Sequence, residues 1–252
     1  MGFGHVQGAG SYSGSLITST SASLGTAPAS GDWVCVSLIL INTSGTAPSS
    51  VAIKDSNSNN YTISPNSPST GSSGGYYVWI YLAYLKAPAN ASSSISASWT
   101  TSCYVGFWID DFSITGGTSS FDKDVAGTLE TASSGSATLP SITPSASGEL
   151  LYSAGVDVTN YYTAPAAGAT LGGWTGAALA LQNSGDDGSA EYILSSTGSA
   201  TGTDYTCEGS SDAYLNAIMA FTFTASGFQP DEDFPVPPSQ PQSADPTVTV
   251  WG

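Results

Sequence analysis

Positive charge is almost missing from this chain. It has three lysines (Lys54, Lys86 and Lys123), no arginine and 19 acidic residues, for a formal charge of −16. That balance excludes nucleic-acid binding, in which Lys or Arg normally supplies each phosphate contact. Anionic membranes and phosphorylated substrates are disfavoured in the same way. Histidine occurs once, as His5 in a glycine-rich N-terminal stretch. A Ser–His or Cys–His nucleophile system needs a histidine held rigidly by its fold, and that stretch does not promise it. Cys35, Cys103 and Cys207 make an odd count without Cys-x-x-Cys spacing, so neither a disulfide framework nor a zinc site is expected. The longest apolar run, Tyr76 to Leu85, is about half a membrane span. Residues 1–8 carry no basic region and no apolar stretch, so no export signal is read there. No cofactor is expected.

Charge of either sign is also scarce, at 9% of residues, so Ser, Thr, Gly, Asn and Ala must cover the surface. Such surfaces suit proteins that work outside a cell or inside a large assembly, whereas cytosolic proteins usually keep soluble by charge. A hydrophobic content of 40% over 252 residues is enough for two cores, each in a domain of about 100 residues.

What the chain does have is an internal repeat. Ser21–Leu24, Gly31–Val34, Thr46–Pro48 and Asn66–Ser67 recur as Ser136–Leu139, Gly148–Leu151, Thr163–Pro165 and Asn183–Ser184. One shift of 117 residues relates Asp32, Pro48 and Asn66 to Glu149, Pro165 and Asn183. The halves then end alike, in Tyr104-Val-Gly-Phe-Trp-Ile and Tyr214-Leu-Asn-Ala-Ile-Met, which sets Tyr104 against Tyr214. A repeat of this length marks two copies of one folding unit.

Helical periodicity is missing throughout, and Ser, Thr and Gly depress helix propensity. Short strands at 8–12-residue spacing replace it. In the first half they are expected at 21–24, 33–41, 51–53, 60–63, 76–85, 94–99 and 104–114. In the second they are expected at 135–139, 149–158, 170–175, 179–182, 189–195, 204–208 and 214–224. The expected fold is all-β: two tandem antiparallel, jelly-roll-like sandwich units with extended terminal arms. Its divisions are 1–20 (an arm or first strand), 21–118 (first unit), 119–226 (second unit) and 227–252 (a C-terminal arm). Two separate sandwiches and one composite with the copies face to face both fit this pattern.

Residues 227–252 hold six of the 14 prolines and the acidic run Asp231–Asp233, which points to an extended polyproline-like arm. It ends in Thr247-Val-Thr-Val-Trp251, a short alternating strand suited to joining the sheet edge of a neighbouring subunit. Phe228, Phe234, Val248, Val250 and Trp251 are the residues expected to hold such an arm in place.

Few constellations point to chemistry. Asp55-Ser-Asn57-Ser-Asn59 alternates oxygen ligands as calcium loops do, but it lacks the sixth-position glycine and the closing glutamate, and it reads as a turn. Asp110 and Asp111 are adjacent on a strand, so they face opposite sides, and at least one is expected in water. Asp122 and Asp124 follow shortly after. Glycoside hydrolysis would need two such carboxyls converging in a cleft. Tyr76, Tyr77, Trp79, Tyr81 and Tyr84 crowd one strand and Phe107, Trp108 and Phe112 another, the pattern of a filled core. Tyr161, Tyr162 and Trp174 are the aromatics expected at the surface, where they could stack on sugar rings.

Three motifs give the halves a family likeness: Gly31-Asp-Trp-Val34, Asp55-Ser…Asn60-Tyr-Thr62, and Ile142-Thr-Pro…Gly148-Glu-Leu-Leu151. They resemble a β-sandwich unit of tailed-bacteriophage structural proteins and of some bacterial surface proteins. The resemblance covers residues 15–226, carries no catalytic residue across, and implies a head-decoration or minor-tail role. On that basis the partners would be other virion proteins or copies of the chain in a homo-oligomer, with host surface glycans a further candidate. The protein would be made in the host cytoplasm and reside in the virion. A carbohydrate-binding adhesion module is the alternative.

Overall fold

The computed structural model describes residues 2–131, 136–137, 140–158, 162–163, 170–171, 174–176, 187–196, 205–207 and 213–226. They are all-β and antiparallel throughout. In chain order the strands are β1 (Gly2–Ser23), β2 (Trp33–Asn42), β3 (Ala52–Asp55), β4 (Thr62–Ile63), β5 (Ser69–Ser73), β6 (Tyr76–Lys86), β7 (Ser94–Thr115), β8 (Gly117–Ala126) and β9 (Glu130–Thr131). There follow β10 (Ser136–Ala137), β11 (Glu149–Asp157), β12 (Tyr162–Thr163), β13 (Thr170–Leu171), β14 (Trp174–Gly176), β15 (Asp187–Ser196), β16 (Tyr205–Cys207) and β17 (Ala213–Ala225).

Sheet A, from the first half, runs β1-β7-β2-β6-β4, with β3 on β7 and β5 on β6. Sheet B, from the second, runs β13-β14-β15-β11-β17-β8, with β9 on β17. A small third sheet joins β10, β16 and β12. The order β1-β7-β2-β6 is that of β8-β17-β11-β15, so the repeat is one of topology as well as sequence. The chain passes between sheets at Gly116, whose φ of 74° suits a glycine. Of the two readings of residues 1–20, the structure has the strand: β1 lies along β7 from Gly2 to Ser23.

The repeated Gly-Asp and Gly-Glu motifs have a shared job. Gly31 and Gly148 have φ of 98° and 82°, and their amides donate to Ala87 O and Ser196 O, at the ends of β6 and β15. The carboxylates of Asp32 and Glu149 accept from the amides of Ala29 and Ala146, three residues back. Each motif therefore closes the turn that starts the central strand. Its specificity is for backbone geometry.

The two sheets pack face to face. Alternate residues of sheet A (Trp33, Cys35, Ile39, Ile41, Val78, Ile80, Leu82, Trp108, Phe112) share one core with those of sheet B (Leu150, Tyr152, Ala154, Val156, Ala190, Leu215, Ala217, Met219, Phe221). The fold is thus the composite arrangement, with the halves closed on each other. The intervening residues build two outer cores, one on sheet A around Val36, Leu38, Trp79, Trp99 and Phe107 and one on sheet B around Leu151, Trp174, Tyr214 and Ile218. Central strands buried on both faces read as continuous apolar runs, and β2 is buried at every position. Each fully buried aliphatic or aromatic side chain contributes about 1.5–3 kcal/mol by transfer from water.

Trp108 shows how closely the faces fit. A Cβ built on Gly106, its neighbour in sheet A, would lie 2.5 Å from the indole, and one on Gly188 in sheet B would lie 2.9 Å from it. The ring occupies a slot between two glycines, one from each sheet.

Three expectations change. Residues 94–99 and 104–114 belong to one strand, β7, with a register irregularity where Cys103 meets Ile17. β5 and β8 were not foreseen, because Ser69–Ser73 and Gly117–Ala126 are too polar to show a buried face. Tyr104 pairs with Ile41, whereas Val158, the counterpart of Ile41, donates to Ala213 O. Tyr104 therefore corresponds to Ala213, and Tyr214 to Val105. A one-residue slip exchanges faces: Tyr104 packs towards the shared core, and Tyr214 lies in the outer one.

Replacing Gly188 with alanine is expected to cost about 1–3 kcal/mol through overpacking against Trp108 and Ile39. Chemical denaturation measures it, and an unchanged midpoint would remove Trp108 as the interlock of the two sheets.

Candidate functional site

The sheets meet water at two ends of their shared core, and one end carries charge. β1 pairs His5 with Phe112, then inserts Val6 before Gln7 pairs with Asp111. Such a bulge re-aims the side chains that follow it. Without it, His5 and Gln7 would share a face. With it, His5 faces sheet B and Gln7 faces the outer side. His5 Nε2 lies 2.9 Å from Asp110 Oδ1, and the Tyr152 hydroxyl, from sheet B, donates to Asp110 Oδ2 at 3.1 Å. The imidazole stacks on Tyr192, at 4.7 Å and 15°, and meets Phe112 edge-on at 5.3 Å. His5 is therefore held firmly by a strand, contrary to the reading of it as part of a loose arm.

Asp110 and Asp111 are both buried, at 0% and 1% exposure, against the expectation that one would be solvated. Sheet A has the shared core on one face and an outer core on the other, so neither side of β7 at Asp110 and Asp111 reaches water. Burial pushes the Asp110 carboxyl above the ordinary range, and His5 and Tyr152 oppose that only in part. Asp111 is also raised by burial, and the nearby charges of Asp32 and Asp110 add to it, while a 2.9 Å hydrogen bond from Gln7 Nε2 opposes. The Tyr152 phenol is pushed well up by burial and by Asp110.

The opposite end provides an internal control. Phe112 pairs with Trp33 and Phe221 with Leu150, positions 117 residues apart, so Phe112 and Phe221 are counterparts. By the same registers His5 corresponds to Phe121, Asp110 to Met219, Tyr152 to Cys35 and Tyr192 to Tyr84. Tyr84 stacks on Phe121 at 4.5 Å and 11°, as Tyr192 does on His5. One end is thus His, Asp and Tyr where the other is Phe, Met and Cys. The architecture closes without the polar set, so that set is the most distinctive chemistry in the described residues. It offers a base oriented by a buried carboxylate. Among the described residues, no hydroxyl or thiol nucleophile is hydrogen-bonded to His5.

Other acids serve as fasteners. Asp55 accepts from the amides of Asn57, Asn59 and Ser92 and from Asn59 Nδ2, at 2.8–2.9 Å. Burial alone would raise its carboxyl, but these donors outweigh it and hold it low. The Asp55–Asn59 segment is a turn in which both Asp55 carboxylate oxygens already accept hydrogen bonds. Asp124 binds Asn66 through the Asn66 amide and side chain at 2.8–3.0 Å, tying a loop of the first half to β8. Asp122 accepts from Ser145 and pairs with Lys123 at 3.6 Å. On the outer face of sheet B, Asp157 and Glu191 are fully buried. Glu191 stands opposite Ser153, four residues from Asp157, which places their backbones roughly 14 Å apart along the strand. Glycosidase carboxyls stand about 5–9.5 Å apart.

Of the aromatics expected at the surface, Trp174 is corrected: it is 1% exposed and fills the outer core of sheet B, facing Ile142, Leu151 and Ile218. Tyr161 and the side chain of Tyr162 lie outside the described residues. So do Phe228, Phe234, Val248, Val250 and Trp251. Among the described residues the exposed aromatic is Tyr77, at 39%, a position read as core because it is one of the aromatics crowding β6. It stacks beside Trp79, at 6.5 Å and 19°, and both line an open groove with Gly45, Ala47, Thr70 and Ser72. Its position at the start of β6, next to Gly74-Gly75, is the signal that could have separated it from the core aromatics. No helix among the described residues is long and apolar enough to cross a membrane, and no group of three or more His, Cys, Asp or Glu there is placed to hold a metal.

No protein-family model matches the chain, and no curated protein or solved structure is significantly similar to it.

Replacing His5 by Phe and Asp110 by Met together copies the opposite end. Exchanging this buried, hydrogen-bonded His–Asp pair for packed apolar groups is expected to stabilise the fold by about 1–4 kcal/mol, whereas His5→Phe alone costs about 3 kcal/mol by stranding Asp110. Because the Asp110 carboxyl is raised in the fold, its favourable contribution is present below the unfolded value near 3.9 and lost as pH rises through the folded value. The double variant's advantage should therefore grow from pH 4 to 7. Thermal unfolding across that range checks this, and a double variant less stable than the wild type at pH 7 would show that the polar set stabilises the closed sandwich.

Proposed function

We propose that the protein is a non-enzymatic structural component of a virus particle, of the head-decoration or minor-tail kind, held by its sandwich surfaces and terminal segments. The observation that carries this reading is the fate of its acids. Asp110 joins β1 to the opposite sheet, Asp124 joins the two halves, Asp55 closes a turn, and Glu149 closes the turn before β11. In a chain with so few charges, these four carboxylates are spent on connecting segments. The lack of basic groups and the hydroxyl-rich surface support the same reading, as does the resemblance of the Gly31–Val34 and Gly148–Leu151 motifs to virion sandwich units. The proline-rich segment 227–252 is the second latch, through Val248, Val250 and Trp251. In the full-length protein, Val248→Asp with Val250→Asp should lower the assembled mass in light scattering and leave the melting temperature unchanged. An unchanged mass rejects the latch.

A second reading, a carbohydrate-binding module on the same surface, is favoured by Tyr77. Its ring is the exposed aromatic beside a groove bearing hydroxyls and no charged side chain. Such a site would take a neutral saccharide, stacked on tyrosine and bonded to Thr70 and Ser72. Tyr77→Ala should abolish binding on an array of neutral glycans while the fold persists, and an array without hits for the wild type rejects the reading.

A further inference from the structure

β1 ends the hydrogen-bonded order of sheet A, and among the described residues no strand pairs with its outer edge. An open edge is a template for another strand, and proteins guard against this with charges, proline or short strands. β8, the counterpart in sheet B, is guarded. It is 10 residues long and carries Asp122, Lys123 and Asp124, which bind Ser145, Thr143 and Asn66. β1 is 22 residues long and contains no Asp, Glu, Lys or Pro. The three guarding positions Asp122, Lys123 and Asp124 are Val6, Gln7 and Gly8 in β1 by register. Three large apolar side chains are exposed among the described residues, and two of them, Val6 and Leu16 at 52% each, lie on this strand.

We propose that the open edge of β1 is an assembly surface whose partner is β1 of a second molecule, paired antiparallel across a two-fold axis. This deepens the structural reading above and rests on it. The register to β7 is regular from Gln7 to Ser13, between the bulge at Val6 and the irregularity before Ile17. An antiparallel two-fold centred near Gly10 pairs that stretch with itself. Two properties select a second molecule as the occupant. First, an antiparallel strand is complementary to itself across a two-fold, and a second β1 centred there spans Gly2 to Thr18 of this edge, roughly 55 Å at the usual rise per residue. Second, each molecule carries a charge of −16, and β1 is a strip free of acidic side chains along which two such molecules can approach. Pairing would join two copies of sheet A into one continuous sheet.

The charge also gives the association a sign. Repulsion between two acidic bodies is screened by salt, with a Debye length of about 30 Å at 0.01 M and 8 Å at 0.15 M. Dimerisation should therefore strengthen as salt rises, opposite to docking by salt bridges. Sedimentation of the full-length protein at low and high salt measures it. Two double variants, Val6→Lys with Leu16→Lys and Val6→Glu with Leu16→Glu, restore a guarded edge while shifting net charge in opposite directions. Both should raise the dimer dissociation constant by at least about tenfold, with unchanged melting temperature. Hydrogen exchange of the wild type should show Gln7–Ser13 amides protected in the dimer beyond their protection in either variant. The dimer should persist in Val248→Asp with Val250→Asp, so loss of the C-terminal latch and loss of the β1 edge are read separately. A wild type that stays monomeric at all salt concentrations would overturn the proposal. So would a dimer that both double variants leave intact, or one whose Gln7–Ser13 amides exchange as freely as the variants' do.

Discussion

The structure depends on burial of one apolar sheet face against another. Sheet A and sheet B each present an alternating row of large side chains that has no other cover, and each supplies what the other lacks. The match is asymmetric even though the halves are copies. Trp108 corresponds to Ala217, Gly106 to Leu215, Ile80 to Gly188, Leu82 to Ala190 and Ser37 to Ala154. Where one half is large the other is small, so two identical faces would have clashed at the Trp108 slot. Protein interiors are packed densely enough that a single methylene is felt. Divergence of the inner faces is thus what allows one chain to close on itself.

The parts of the fold legible in the sequence were those set by local rules. A left-handed glycine followed by an acid at a strand start needs only its own turn, so Gly31-Asp32 and Gly148-Glu149 were visible as a repeat. The buried strands β2, β6, β11 and β17 showed as apolar runs because both faces are covered. What was not legible depends on partners distant in sequence. β1 and β8 are edge strands, with few buried positions to reveal them. Tyr104 and Tyr214 were matched by residue identity, but the faces they occupy are decided by pairing with Ile41 and Asp157.

The candidate site failed to show for the same reason. His5 and Asp110 stand 105 residues apart and meet only because β1 lies on β7 with one extra residue at Val6. Asp110 and Asp111 on an exposed strand would have been split between core and water. On a strand with cores on both sides, each needed its own partner, His5 and Tyr152 for one and Gln7 for the other. Trp174 is the converse: set among glycines on an expected strand, it was expected at the surface, yet it is buried in the outer core of sheet B.

Comparing the halves position by position separates what the fold requires from what was added. On the inner face the central pair β2 and β11 differ mostly in size, apart from Ser37 against Ala154 and Cys35 against Tyr152, while on the outer face Val36 stands against Ser153 and Leu40 against Asp157. Differences in charge occur on β1 and β7 against β8 and β17, with His5 for Phe121, Asp110 for Met219, Val6 for Asp122 and Gln7 for Lys123, and on the outer face of sheet B, with Asp157 for Leu40 and Glu191 for Ala83. Packing explains the first kind, because two faces that meet must interlock. It does not explain the second, since the Phe, Met and Cys end shows that the same geometry closes without ions. The His5–Asp110 pair faces the shared core, so what it adds is a fastening of β1 to sheet B through Tyr152. The first half thus differs from the second in a long edge strand without acid, lysine or proline that is pinned by a buried His–Asp pair, whereas β8 carries Asp122, Lys123 and Asp124.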